Sequence, residues 1–244
     1  QYKYFLGVIA VKNPDMIKRY TMFMAGVIAS ALGISLITKA GLGTSPVTSP
    51  AFVLTFLFPY SLGSFTMMVN TLMFGLQAVI LGRDFERVQL LQLPSALLFS
   101  ACIDGWSRLF SFWPVRSYLS SVVVLAAGCV FLGLGIALEV VPDVLILPGE
   151  GLVRAIVRRF GLHFGHVKRA FDLILVLAAA VLSVAATGKI LGIREGTVAA
   201  ALVVGPISHF FIGRIHSLAR GEKLVPEQLT CLAENEEESG TANL

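Results

Sequence analysis

The residues of this 244-residue chain with chemistry to offer are polar and ionisable groups set inside long apolar stretches. They are Asn70, Gln77, Gln92, Asp104, Glu139, Glu150, Asp172, Glu195 and His209. On a soluble protein such residues are ordinary surface. Inside hydrocarbon each needs a partner or a water-lined cavity, so each is a candidate for function. Asp172 follows Lys168 by four residues, the spacing of an ion pair on one helix face; in the competing reading it faces Asn70 and binds a cation or polar solute. Glu150 sits in Pro148-Gly149-Glu150-Gly151, where the glycines let a ligand or a second segment come close. It is either a ligand or gate, or an acid capping the positive end of a basic helix. Ser45, with Thr44, Thr48 and Ser49, brings hydroxyls to the start of a short helix, where they cap it or receive an anion. Glu195 with Thr197 reads as helix-start chemistry. Asp104 and Glu139 lie near span ends and reach the interface, and His209 is a structural residue or a proton shuttle.

No enzyme constellation accompanies them. The sequence has no Gly-x-Ser-x-Gly, His-Glu-x-x-His, Walker A or paired zinc-ligand pattern. The expectation is a protein that is not an enzyme, with no catalytic residues, no metal and no cofactor. Cys102 and Cys129 lie in apolar spans and Cys231 in a polar tail, a spacing that fits no disulfide framework.

The elements that must position these residues follow from composition. Apolar residues make up 56% of the chain and charged residues only 14%, against about 25% in a soluble domain. Too little charge is present to coat a soluble surface, and lipid is the solvent that fits. The net charge of +4 does not point to nucleic acid, because the basic residues sit in short clusters between apolar stretches. The predicted spans are 20–40, 64–81, 88–109, 118–141, 167–187 and 197–215, the third interrupted by Gln89, Gln92, Pro94 and Asp104. The first runs too long for a secretory signal peptide. With the N-terminus inside, 14 of the 19 Lys and Arg fall on the cytoplasmic side and 5 outside, which places both termini in the cytoplasm.

Two segments are neither spans nor plain loops. Residues 41–50 hold Pro46 and Pro50 and lead into a short apolar run that Thr48 or Ser49 can cap. Residues 142–151 hold Pro148 and lead into a stretch with Leu152, Val153, Ile156, Val157 and Phe160 on one helical face and Arg154, Arg158 and Arg159 toward the other. That second pattern predicts a helix at the cytoplasmic interface.

The chain also resembles itself. At a shift of 102 residues, positions 25–36 match six times in twelve, through Ala25, Gly26, Leu32, Gly33, Ile34 and Leu36. Pro46 then falls on Pro148, Gly63 on Gly165 and Asn70 on Asp172. Three spans per copy turn the second copy upside down, an arrangement that recurs in secondary transporters, with interrupted segments meeting near the midplane.

Four motifs taken together resemble the bacterial YczE/YyaS/YitT group of membrane proteins. They are Gly41-Leu-Gly-Thr-Ser-Pro46, the span with Gln89, Gln92, Pro94 and Asp104, Pro148-Gly-Glu-Gly-Leu152, and Arg194-Glu-Gly-Thr197, across residues 20 to 213. The resemblance implies a multi-pass protein of the bacterial cytoplasmic membrane, of a group presumed to be transporters. It implies no substrate.

The sequence therefore predicts an all-α, polytopic membrane protein of six transmembrane helices in an inverted three-plus-three repeat. Its parts are a cytoplasmic segment 1–19, repeats 20–114 and 115–216, and a polar, disordered cytoplasmic tail 217–244. The predicted function is secondary transport or export of a small polar or ionic solute. Its site is formed by Asn70, Asp172, Pro46, Pro148, Gln92, Glu150 and Ser45. The competing readings are the substrate-binding membrane subunit of a multicomponent importer and a scaffold without transport. Partners are the lipid bilayer and the solute, with no nucleic acid. The small-residue stripe Ala25-x-x-x-Ala29 with Gly33 permits a homodimer or a docked partner.

Overall fold

The computed structural model describes residues 14–219. The acidic tail and the basic residues at positions 3, 12, 220 and 223 lie outside the described residues. Within them the chain is all-α: α1 (Pro14–Lys39), α2 (Ser49–Leu57), α3 (Leu62–Leu81), α4 (Gln92–Leu109), α5 (Tyr118–Val140), α6 (Pro148–Phe160), α7 (Phe164–Thr187) and α8 (Glu195–Ala219). Six of these, all but α2 and α6, are long and apolar enough to cross a membrane. At 1.5 Å per residue, α2 and α6 reach only about half to two thirds of a hydrocarbon core.

The interrupted third span has a local cause. Residues 87–91 form a tight 3-10 turn, and the α-helix begins only at Gln92. Pro94 then sits in its first turn, where a missing N–H removes no helical hydrogen bond. The other boundaries are chemical too. Ser61 caps α3 by accepting from the Ser64 N–H at 3.1 Å. Ser117 and Ser120 form a reciprocal cap on α5. Gly161 and Gly188 close α6 and α7 in the left-handed conformation.

The central seam is α1 against α5, the most extensive helix pair, and the two run antiparallel. Glycine makes it possible. A Cβ placed on Gly26 would lie 2.9 Å from the Gly135 carbonyl, and one on Gly33 would lie 2.8 Å from the Gly128 carbonyl. The backbones therefore pass at a distance that only glycine allows. Around this seam Phe23, Val27, Ala31, Ile34 and Ile37 of α1 pack with Leu125, Cys129 and Leu132 of α5. α4 lies on α1, and α8 lies on α5. The near face of the bundle is the end where α1 begins and α5 finishes; the far face is the opposite end.

The seam reassigns the small-residue stripe. Gly26, Ser30 and Gly33 form the close surface. Gly33 is thus taken up inside the monomer, while Ala25 is exposed and Ala29 half-buried. Depth corrects one of the two polar residues expected to reach the interface, and the other stays half-buried at a span end. Glu139 is buried in the seam, its carboxylate accepting from the Ser30 hydroxyl at 2.6 Å. Asp104 of α4 accepts from the Ser61 hydroxyl at 2.6 Å and the Gly63 N–H at 2.8 Å, so it holds the start of α3.

Candidate functional site

The segment after α1 turns back into the bundle from the far face. Gly41 and Gly43 take positive φ, +71° and +125°, which lets the chain reverse. Gly43 is fixed by space as well: a Cβ there would lie 2.9 Å from the backbone nitrogen of Thr197 and against its hydroxyl. The first turn of α8 is stitched to this segment. Gly196 N–H donates to the Leu42 carbonyl at 2.8 Å, and Thr44 N–H donates to the Thr197 hydroxyl at 3.2 Å.

Beyond Gly43 comes a chain of hydroxyls. Thr44 lies 3.2 Å from Thr38 and 2.9 Å from Thr48, and Thr48 lies 2.8 Å from Ser45. Ser49 donates to the Ser45 carbonyl at 3.0 Å. Thr44, Ser45, Thr48 and Ser49 are all buried. Thr48 is the N-cap of α2, but its side chain turns into the hydroxyl chain and makes no cap. The helix starts instead on Pro50 in its first turn.

The second segment enters from the near face. Pro142, Leu145 and Leu147 are buried, and Asp143, at φ +46°, is met by Arg154 at 3.3 Å. α6 begins at Pro148 with no side-chain cap. Its first turn, Pro148 to Gly151, is buried apart from the half-buried Glu150, and α6 packs against α3 and α7. The amphipathic pattern thus describes only its later part, where Arg158 meets Glu86 at 3.6 Å and Phe160 is exposed.

The two segments meet. A Cβ on Gly149 would lie 3.3 Å from Val47 Cγ1 and 3.6 Å from Met73 Sδ. Met73 is the twelfth of the 20 residues of α3, so the meeting point is close to mid-span. The segment leading into α2 and the first turn of α6 therefore touch inside the bundle. Val47 and Gly149 are also separated by 102 residues, the shift at which the sequence resembles itself.

Most of the predicted site converges here. Pro46 and Pro148 flank the contact. Glu150 pairs with Lys168 at 3.6 Å, and Lys168 pairs with Asp172 at 3.0 Å. Asp172 thus takes the first of its two alternatives, the ammonium four residues earlier, and shares that ammonium with Glu150. Asn70 is buried one turn before Met73, on the α3 face that meets α6. Gln92 is buried, and Ser45 belongs to the hydroxyl chain.

Gln77 and Gln89 complete the site. Gln77 Nε2 donates to Gln89 Oε1 at 3.0 Å. Its own Oε1 lies 2.5 Å from a Cβ placed on Gly151, and Gln92 Oε1 lies 3.0 Å from it. Both oxygens are buried without a hydrogen-bond partner. The signal for Gln77 was its spacing: Asn70, Met73 and Gln77 share one helical face. Of the remaining candidates, Glu195 pairs with Arg194 at 3.3 Å, and His209 is exposed on α8.

Six membrane-length helices and two half-length helices packed among them define an integral, multi-pass membrane protein of the α-helical class. The chain belongs to the family of unknown function DUF6198, whose family model matches residues 17–213. It is similar to the "Uncharacterized membrane protein YczE" of Bacillus subtilis (strain 168), with 25% identity over 199 residues, covering 80% of this chain and 86% of that relative. This agrees with the resemblance read from the motifs. No solved structure matches.

Proposed function

We propose that the protein is a secondary transporter or exporter of a small polar or ionic solute, without enzymatic activity of its own. It is built as an inverted three-plus-three repeat in a bacterial cytoplasmic membrane with both termini in the cytoplasm. The observation that carries this reading is the meeting of the two Pro segments at Val47 and Gly149, from opposite faces and near mid-span. Interrupted segments that meet between repeats are where secondary transporters hold their cargo.

Packing supports the repeat. Exchanging the two halves maps α1 on α4 to α5 on α8, and α3 on α6 to α7 on α2. It maps the Gly26–Gly135 approach onto Gly128–Gly33, which is the second close approach of the seam. The pairing of α3 with α4 is the part without a strong counterpart, because α7 packs chiefly on α2 and α6. The polar residues support a solute. Glu150, Lys168 and Asp172 form a charged group that lipid would exclude, placed beside the meeting point.

The test places single cysteines at Val47 and Ile146 in a chain freed of native cysteine. Water-soluble thiol reagents are then added from one side at a time. Transport predicts labelling of both positions, Val47 from outside and Ile146 from inside. In liposomes, Asp172→Asn then abolishes solute flux and leaves insertion unchanged. Absence of labelling at both positions, or normal flux through Asp172→Asn, defeats the reading.

A second reading rests on α7 and α8, which bury the smallest share of their apolar length. A subunit of a multicomponent importer, or one half of a homodimer, would cover that surface with protein. Solute movement by the purified chain alone counts against the importer subunit, and a single-copy mass in detergent counts against the dimer.

A further inference from the structure

We propose that the start of α6, where it touches the segment leading into α2, binds an anionic group of the solute, a carboxylate or other small oxyanion. The amides of Gln77 and Gln92 would be its side-chain ligands. This names the substrate class of the site above and rests on that reading for its purpose.

A helix N-terminus carries about half a positive charge on its unpaired N–H groups. α6 presents such an end at Gly149 to Val47, in the segment that leads into α2. That end is not satisfied by its own side chains, since Leu147 makes no cap. Gly151 N–H already donates to Leu147, and Pro148 has none to give. Gly149 and Glu150 supply the N–H groups that intrahelical bonding leaves over.

Gln77 and Gln92 are each only 2% exposed, and the oxygen of each is buried without a donor beside Gly151. Buried amide atoms are ordinarily paired, and two unpaired oxygens converging on one turn mark a place where a partner belongs. The two ends of an amide exchange by a half-turn of the terminal torsion. Turning Gln77 and Gln89 together keeps their mutual hydrogen bond and points Gln77 Nε2 at the first turn of α6. Gln92 turns alone. The result is two amide donors and a helix N-terminus aimed at one point.

Glu150 and Asp172 share the Lys168 ammonium, which leaves net negative charge beside the site for the helix start and the amide donors to outweigh. The Gln77 and Gln92 oxygens fill the space that a side chain on Gly151 would take, so an anion reaches the backbone there only as these amides turn.

The experiment uses the full-length chain in detergent and follows thermal unfolding by Trp106 and Trp113 fluorescence. Sodium formate is compared with sodium gluconate at equal ionic strength, and methylammonium chloride with choline chloride. Formate is expected to raise the midpoint over gluconate, with no difference between the cations. Gln92→Glu, which places a tethered carboxylate at the helix start, should raise the midpoint in gluconate and abolish the formate response. Gln92→Leu, of similar volume, should lose the response without that rise. The proposal is overturned by an equal midpoint in formate and gluconate, by an undiminished formate response in both variants, or by stabilisation from methylammonium instead. Flux and thiol labelling separate this from the transport reading. Solute flux without a formate effect sinks the anion site alone, whereas dry Pro segments sink transport whatever formate does.

Discussion

Replacing Gly33 by alanine adds one methyl group at the tightest point of the α1–α5 seam. Its carbon would lie 2.7 Å from Leu132 Cα and 2.8 Å from the Gly128 carbonyl oxygen. Both are backbone atoms of a buried helix, so no side chain can swing away. Ordinary carbon contacts need about 3.5 Å, so the helices must part by roughly 0.7 Å or more. A gap of that size forfeits about a quarter to a half of the dispersion energy of each atom pair along it. Overpacking of this kind costs about 1–3 kcal/mol, and the better helix propensity of alanine returns up to about 1 kcal/mol. The expected net loss is about 1–2 kcal/mol, a fall of roughly 2–8 °C in the unfolding midpoint for a domain this size. Thermal unfolding in detergent reads it directly. Gly75→Ala is the control, because Gly75 is exposed on α3 and a methyl there meets nothing within 4 Å. Its midpoint should stay level or rise. If Gly33→Ala unfolds with the wild type, or Gly75→Ala falls as far, backbone contact is not what holds the seam.

Ser30→Ala should destabilise by about 1–3 kcal/mol, since it strips the buried Glu139 carboxylate of its hydroxyl donor. Adding Glu139→Gln to it should recover part of the loss, as chemical unfolding of the single and double variants would measure. Asp104→Ala removes two hydrogen bonds to the start of α3 and should cost about 1–2 kcal/mol. Its loss is expected as faster amide exchange confined to the first turn of α3. Gly43→Ala combines a φ of +125° with a clash against Thr197 and should lower the midpoint by more than Gly41→Ala, which has open space and a milder φ.

How much of this was legible depends on which interactions are local. The six spans were readable because apolar length is a property of one segment, and the long helices fall within a few residues of where hydropathy placed them. The half-helices announced themselves through Pro46, Pro50 and Pro148, each at or before a helix start too short to span. Pairings were harder. Lys168 with Asp172 was visible at four residues' spacing, but Glu150 as its third member was not, because that contact joins α6 to α7. The small-residue stripe was read on Ala25, Ala29 and Gly33, whereas the seam uses Gly33 together with Gly26 and Ser30. Spacing by four finds candidate faces but cannot tell which one a distant partner will cover. Asp104 was legible as a span-end residue, but its partners, Ser61 and Gly63, were not, because they lie about forty residues earlier. Gln77 was legible as polar in an apolar span, yet only Gly151, from another part of the chain, reveals where its amide points.

The same seam sets an order of events in synthesis. Ser30 and Glu139 are 109 residues apart. At about 5–20 residues per second, α1 leaves the ribosome roughly 5 to 20 s before the helix that covers it. During that interval the glycine face of α1 has no mate, and α4 is the helix already made that packs against it. The first half-length helix is left incomplete too, because α2 finds α3 at once but waits for α7, its other neighbour. The first four helices must therefore persist in the bilayer as a half-built assembly, with α5 as the piece whose arrival closes it. A chain stopped before α5 would leave that glycine face bare and be a natural target for membrane proteases, whereas one stopped after α5 would already hold its central seam.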